Sequence, residues 1–464
     1  MEKAIPEQRY KEELKKGAAS LQVLKRRRTL YGWMRLGIVV AGGITAYFAF
    51  QSSLTYGWVA VVLSLLLFLV LLHFDTDNGA AIGNTERLIA INEDELKVLA
   101  HRFHHRDTGA ALLPSLHDYA GDLDVLGNAS LFQYISRCHT EQGSGLMAHD
   151  LLYSIDPAAV VARQEAAGEM GAMVEWRQQF SAHAMHVPVT VKTEERIRAW
   201  LSEEHQPFSG SLWQWALPLY SILTIGSAVA AIAGYIPGPG FSMLFFIYVV
   251  FASLQSRKAT GLYAHLSKIV PETQTLGLLL KTIEDQSFKS SLLKSLQQGL
   301  SPAGGSASRE IKALKAILGR FDLRLNMFLF IALNSFLLWD VRQARALAAW
   351  KRKNGTLPAN WFRAIAETEV IISLGTLHFN QPSWSFPKAV DAYCLLEGKE
   401  IGHPLLPPAQ RVTSNFSLQG QGRIALITGS NMAGKSTFLR SLGVNLVLAQ
   451  MGAPVCAQDF RYSP

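Results

Sequence analysis

The sequence predicts a mainly α-helical chain, with transmembrane helices and a helical core, followed by the start of an α/β phosphate-loop domain. Three observations predict this. Apolar residues make up 49% of the 464 and charged residues only 17%, against about 25% charged in a soluble domain, so lipid is an expected partner. Four apolar runs stand in two close pairs. Near the other end, Gly429 to Ser436 reads G-x-x-x-x-G-K-S behind a β-branched stretch and ahead of a helical one.

Residues 1–30 form a basic segment, with nine Lys/Arg, including "KRRR" at 25–28, against four Glu. The first hairpin, 31–74, holds "LGIVVAGGITAYFAF" (36–50) and "GWVAVVLSLLLFLVLLHF" (57–74). With the aromatic flank from Tyr31 the first run reaches the roughly 20 residues that cross a bilayer, and Arg35 can snorkel to the headgroups. A signal peptide is disfavoured, because a long polar segment precedes the run and a second run follows at once. The second hairpin, 212–254, pairs "LWQWALPLYSILTIGSAVAAIAGY" (212–235) with "FSMLFFIYVVFASL" (241–254) across "IPGPG". Trp213, Trp215 and Tyr235 stand where amphipathic rings favour the membrane interface. The fourth run is short enough for a buried core helix to compete with a span.

Charge orients the hairpins. The loop 51–56 carries none, "SRK" (256–258) follows the second hairpin, and the net charge is +8 with pI about 9.3. The positive-inside bias then leaves the N-terminus and every long polar segment in the cytoplasm, and beside a span "KRRR" reads as an anchor before a nucleic-acid arm. A further run, "LNMFLFIALNSFLLWD" (325–340), is short and contains Asn326 and Asn334. It reads as a buried helix of the soluble part.

The segments 75–211 and 255–380 read as helical. "NEDELKVLAHRF" (92–103) has a polar cap and an acidic first turn. A helix over 156–180 starts with Asp156 as N-cap and Pro157 at its first position. Residues 262–300 and 309–353 are amphipathic, with "SPAGGSAS" (301–308) as a turn between them. "NQPSWSFPKA" (380–389) ends the helical pattern, and 381–464 begins a β-rich segment whose strand "RIALIT" (423–428) leads into the phosphate loop. His101, His104 and His105, like His183 and His186, read as solvated helix faces before metal ligands. Cys138, Cys394 and Cys456 are too dispersed for a disulfide framework or a zinc site.

The loop residues explain themselves chemically. Gly429 and Gly434 let the backbone turn tightly, so that the amides of Gly429, Ser430, Asn431, Met432, Ala433, Gly434, Lys435, Ser436 and Thr437 line an anion site at a helix N-terminus. Lys435 suits the β- and γ-phosphates, and the Ser436 hydroxyl suits Mg2+. ATP with Mg2+ is the cofactor this predicts.

The stretch from 398 onward, with His403-Pro404, "TGSNMAGKST" and "LAQMGAPVCA", resembles the ATPase domain of the MutS family of DNA mismatch repair proteins. Asn431-Met432 makes the loop narrower than a generic one. A second region, 123–170, looks like that family's helical core, through Thr140, Gly143, Ser144 and Leu146, then Val160, Arg163 and Gln164. The resemblance covers roughly 120–464, interrupted by the second hairpin. It implies a MutS-like core and lever region, an ABC-type ATPase domain, ATP and Mg2+ as cofactors, a homodimer formed through the ATPase domain, and DNA as a candidate partner. By position, Arg411 falls where the family places an aromatic residue against adenine, and a guanidinium can stack on a base too. Membrane spans occupy the end where the family carries its mismatch reader. The signature serine, Walker B carboxylates and switch histidine of the family lie downstream of "FRYSP", so the chain reads as truncated. Three functions follow in order: a membrane-anchored ATP-dependent switch, a mismatch sensor, and a non-hydrolysing membrane scaffold. A transporter ranks last, because four spans carry no charge pair marking a path.

Overall fold

A computed structural model describes residues 4–203, 208, 210–301, 305–429 and 434–464. In chain order the helices are α1 (Ala4–Ser52), α2 (Leu54–Leu99), α3 (Leu131–Ile135), α4 (Glu141–Leu152), α5 (Pro157–Ala172) and α6 (Val174–Ala184). They continue with α7 (Val191–Ser202), α8 (Leu212–Ile232), α9 (Gly238–Leu266), α10 (Val270–Glu284), α11 (Ser291–Gly299) and α12 (Ala307–Phe321). Next come α13 (Met327–Leu337), α14 (Trp339–Asn354) and α15 (Leu357–Asn380), then strands β1 (Lys388–Ala389), β2 (Leu395–Ile401) and β3 (Ser414–Gln419), α16 (Lys435–Gln450) and β4 (Asp459–Tyr462). The chain is mainly helical, with a small mixed sheet near the C-terminal end. Two compact units divide it: Met1–Ile135, Met170–His186 and Leu374–Pro464 form one, and Ser136–Glu169 and Val187–Ser373 the other.

Among the described residues, four helices are long and apolar enough to cross a membrane: Ile5–Ser52, Leu54–Leu99, Leu212–Ile232 and Gly238–Ala259. At most 17% of any of their apolar windows is buried. The fourth run is therefore not a core helix.

In the first unit the hairpin is much longer than its apolar runs. α1 and α2 are separated by Ser53 alone, whose extended backbone (φ −162°) breaks the helix and whose side chain accepts the Thr55 N–H. Below the apolar stretch polar residues hold the two helices together. Arg35 pairs with Asp75 at 3.0 Å, Lys25 with Glu86 at 3.0 Å, and Asn78 donates to the Leu24 carbonyl.

"NEDEL" is not a helix start. Asn92 lies inside α2, 2% exposed, and exchanges amide bonds of 3.1 and 2.9 Å with Gln178 of α6. With both edges of its amide bonded, the buried Asn avoids the cost of an unsatisfied polar group in mid-helix. His101, His104 and His105 leave the helix altogether. They lie in the turn after α2, where His101 (φ 61°) bonds the Leu405 carbonyl and His105 meets Asp94. His183 of α6 is half-buried, and burial with Arg87 and His186 nearby lowers its pKa to about 4. Among the described residues no group of three or more potential ligands could hold a metal ion.

The foot of the hairpin is locked by a buried polar node. Tyr10 donates to Asn380 Oδ1 at 2.8 Å, and Asn380 Nδ2 donates to Glu95 at 2.8 Å. Arg177 donates to the Met170, Gly171 and Gly375 carbonyls and covers the Phe379 ring. The helix expected over 156–180 has Asp156 capping Ala158 N as foreseen, but it breaks at Met173 (ψ 54°) into α5 and α6.

The sheet runs β1-β4-β2-β3, with β1 and β4 parallel and the other pairs antiparallel. "RIALIT" is outside it. Residues 423–428 pair with no strand among the described residues, and Ile424 and Leu426 are 90% and 84% exposed. β-branched composition favours a strand only where a neighbour supplies the ladder.

In the second unit, Ser306 caps α12 by accepting from Arg309 N, so part of the expected turn is a helix start, while 302–304 lie outside the described residues. The largest departure concerns "LNMFLFIALNSFLLWD". α13 is not buried: Met327 is 70%, Phe328 87% and Leu329 40% exposed, as is Leu325 before it, at 79%. Only Asn334 and Ser335 of the helix are buried, against α8 and α9.

Candidate functional site

The phosphate loop leads into α16, whose N-cap is Gly434 in the left-handed region (φ 79°). A Cβ there is strained, which accounts for glycine at that position. Gly434, Ser436 and Thr437 are exposed, and the first main-chain bond of the helix runs from Phe438 N to the Gly434 carbonyl. The N–H groups of Lys435, Ser436 and Thr437 thus precede the helical ladder, where an anion is favoured by unpaired donors and the helix dipole. Lys435 Nζ donates to the Gly429 carbonyl, closing the loop on itself. Ser430, Asn431, Met432 and Ala433 lie outside the described residues. The set is what a phosphate chain takes: a cation, a hydroxyl and a helix N-terminus within one turn of sequence.

The opposite face of α16 fixes this end in place. Asn445 is fully buried, donates to the Gly402 and Ser441 carbonyls at 2.9 and 2.7 Å, and accepts from Cys456 N at 2.7 Å. Gly452 (φ 85°) ends the helix, with Ala453 N bonded to the Leu448 carbonyl, the 6→1 bond of a Schellman stop. Asn445 was not foreseen as a site residue. Its only signal is a polar residue on the otherwise apolar i, i+3, i+4 stripe of "SLGVNLVLAQ".

Arg411 is already engaged. Its Nη2 donates to the Pro404 and Leu406 carbonyls at 3.3 and 2.9 Å, and the guanidinium lies 5.5 Å from the Trp384 ring. His403 is buried, and burial with Arg440 lowers its pKa despite Asp124. Burial raises the Cys456 thiol to about 11.

The residues of the second resembling region build a buried polar network in their own unit. Thr140 caps α4 by accepting from Gly143 N at 3.0 Å. Glu369, fully buried, accepts from the Thr140 hydroxyl and from His139 N at 2.9 Å. A Cβ on Gly143 would stand 2.1 Å from Glu369 Oε2, so only glycine fits. Arg163 pairs with Asp150 at 2.6 Å and Glu367 at 3.0 Å.

Burial raises the Glu369 pKa to about 7 against the bonds from Thr140 and His139. Between its ordinary range and about 7 the folded protein binds this proton and the unfolded chain does not. Stability therefore falls as pH rises through that window, by about 3 kcal/mol in total. Glu369→Gln keeps the acceptor and offers an amide to Thr140. Thermal unfolding in detergent from pH 5 to 7.5 is expected to show the decline in the parent chain and a flatter profile in the variant. Parallel profiles would exclude the titration.

Residues 425–464 match MutS domain V. The chain is 34% identical over 140 residues to the DNA mismatch repair protein MutS of Dinoroseobacter shibae, covering 28% of this chain and 15% of that protein. It is 37% identical over 90 residues to MutS of Thermotoga petrophila, covering 18% and 11%. Against the mitochondrial DNA mismatch repair protein mutS homolog of Sarcophyton glaucum it is 32% identical over 108 residues, 22% of this chain and 11% of the relative. The match thus spans a small part of each relative. Through the start of MutS domain V near its C-terminal end, the chain is a distant relative of the MutS mismatch repair ATPases.

Proposed function

We propose that the protein is a membrane-anchored, ATP-dependent conformational switch of MutS descent, multi-pass, with its N-terminus and phosphate loop in the cytoplasm. ATP with Mg2+ binds at Gly429–Thr437, and two copies pair through the ATPase domain. The observation that carries this reading is that α1, α2 and α16 belong to one compact unit, in which Tyr10 and Glu95 of the hairpin both bond Asn380. In this reading a change at the loop is passed to the foot of the membrane hairpin within that one unit. For Arg411 an adenine contact requires release from Pro404 and Leu406, and the base competes with Trp384 for the guanidinium face.

The test is hydrogen exchange on the full chain in liposomes. Mg2+-ATP is expected to slow exchange at the start of α16 and to change it at the foot of α1 and α2. Protection confined to the loop would leave a nucleotide-binding scaffold without a switch. Binding to matched and mismatched DNA duplexes at one fixed salt concentration tests the remaining partner. Equal affinities would remove mismatch recognition.

A further inference from the structure

We propose that α13 is a re-entrant half-helix inserted in the bilayer beside α8 and α9, its exposed face covered by lipid acyl chains. The inference rests on the reading of α8 and α9 as membrane spans.

α13 has 11 residues and at 1.5 Å per residue is about 16 Å long, half of the roughly 30 Å hydrocarbon core. It cannot cross. Yet its end lies against the middle of two helices that can. Tyr220 and Thr224 of α8 donate to the carbonyls of Ser335 and Phe336, both at 2.8 Å, and Phe336 packs on Phe245 of α9 with ring centroids 5.7 Å apart. These contacts fall inside the apolar segments Leu212–Ile232 and Gly238–Ala259.

The carbonyls at the end of α13 meet the requirement that membrane depth imposes. A helix ends with four carbonyls lacking intrahelical donors, and in water the solvent serves them. Here the chain itself serves all four. Leu338 N bonds the Asn334 carbonyl at 2.9 Å, Tyr220 takes Ser335, Thr224 takes Phe336, and Arg342 Nε bonds the Leu337 carbonyl at 2.8 Å. Backbone at membrane depth persists only where protein satisfies it in this way. Asn334 adds bonds from its side chain to the Ala252 carbonyl and to Ser256. At the other end Asn326 caps Leu329 N at 3.1 Å, and Arg324 lies over the Phe330 ring.

The outer face matches the spans. Phe328 is 87% and Met327 70% exposed, beside 68% for Leu219, 70% for Ile222 and 67% for Phe246. The chain before and after α13 meets, with Trp339 Nε1 donating to the Arg320 carbonyl at 2.9 Å, so it leaves close to where it entered.

The experiment uses the full chain in phosphatidylcholine vesicles with a trace of phosphatidylcholine bearing a diazirine at the end of one acyl chain. After photolysis, adducts are mapped by mass spectrometry. The expected result is adducts on residues 325–332 at a yield within about threefold of that on α8. Labelled α8 and α9 with a clean α13 overturn the inference and leave the membrane reading standing, whether a second copy or another segment then covers the helix. If α8 and α9 are also clean, the membrane reading fails and takes the inference with it.

Discussion

Lys435→Ala is expected to cut affinity for Mg2+-ATP by about 100-fold. Among the described residues, the Lys435 ammonium makes its bond to a loop carbonyl, that of Gly429. It can trade that neutral acceptor for phosphate oxygens without disturbing anything else. Hydrogen bonds to charged groups contribute about 1.5–3 kcal/mol each, and about 2.7 kcal/mol is a hundredfold in Kd. The fold is expected to stand. α16 is held by Asn445 and by the buried face of Leu442, Val444, Val447 and Leu448, all one and a half or more turns on from Lys435. Titration of the full chain in detergent with a fluorescent ATP analogue reads the affinity, and a thermal midpoint reads the fold. Unchanged affinity with an intact midpoint would remove the nucleotide site. Ser436→Ala separates the cation from the phosphates: it is expected to abolish the gain in affinity on adding Mg2+ while leaving much of the metal-free binding.

The phosphate-loop motif is readable in the sequence because its chemistry is local. Glycines, a lysine and a hydroxyl within eight residues specify an anion cradle whatever surrounds them, and apolar runs of span length announce themselves equally well. What the sequence hid depends on partners far along the chain. "NEDEL" satisfies the rules of a helix cap, and only Gln178, 86 residues away, makes Asn92 a mid-helix lock. "RIALIT" has the composition of a strand, but composition does not supply a neighbouring ladder. Tyr10 and Glu95 gave no signal at all, because their shared acceptor and donor, Asn380, comes from the end of α15. In α13 the two asparagines suggested a buried helix, correctly for Asn334. Asn326 instead caps the N-terminus, and Met327, Phe328 and Leu329 after it are exposed. Apolar periodicity identifies a face without saying whether protein or lipid covers it.

Arg163→Met is expected to destabilise the second unit by about 3–5 kcal/mol. Arg163 is 5% exposed and lies between Asp150, 3% exposed, and Glu367. Methionine fills the stem volume, so packing changes little, but the Asp150 carboxylate is left buried opposite no cation. His149 reaches Asp150 at 3.3 Å and is largely solvated, so it replaces little of the lost attraction. The double variant Arg163→Met/Asp150→Leu tests the cause. If uncompensated charge is what destabilises, removing the carboxylate recovers most of the loss, whereas a pure packing defect becomes worse. Chemical denaturation of the full chain in detergent, compared across parent, single and double variants, supplies the measurement. A single variant as stable as the parent would show that the triad contributes nothing. A double variant no better than the single one would assign the loss to shape. The network joins α4, α5 and α15, and its central residue, Arg163, is one that the resemblance to MutS marked as part of a sequence pattern. The expected loss therefore gives that pattern a physical meaning: it specifies how three helices of the core are held.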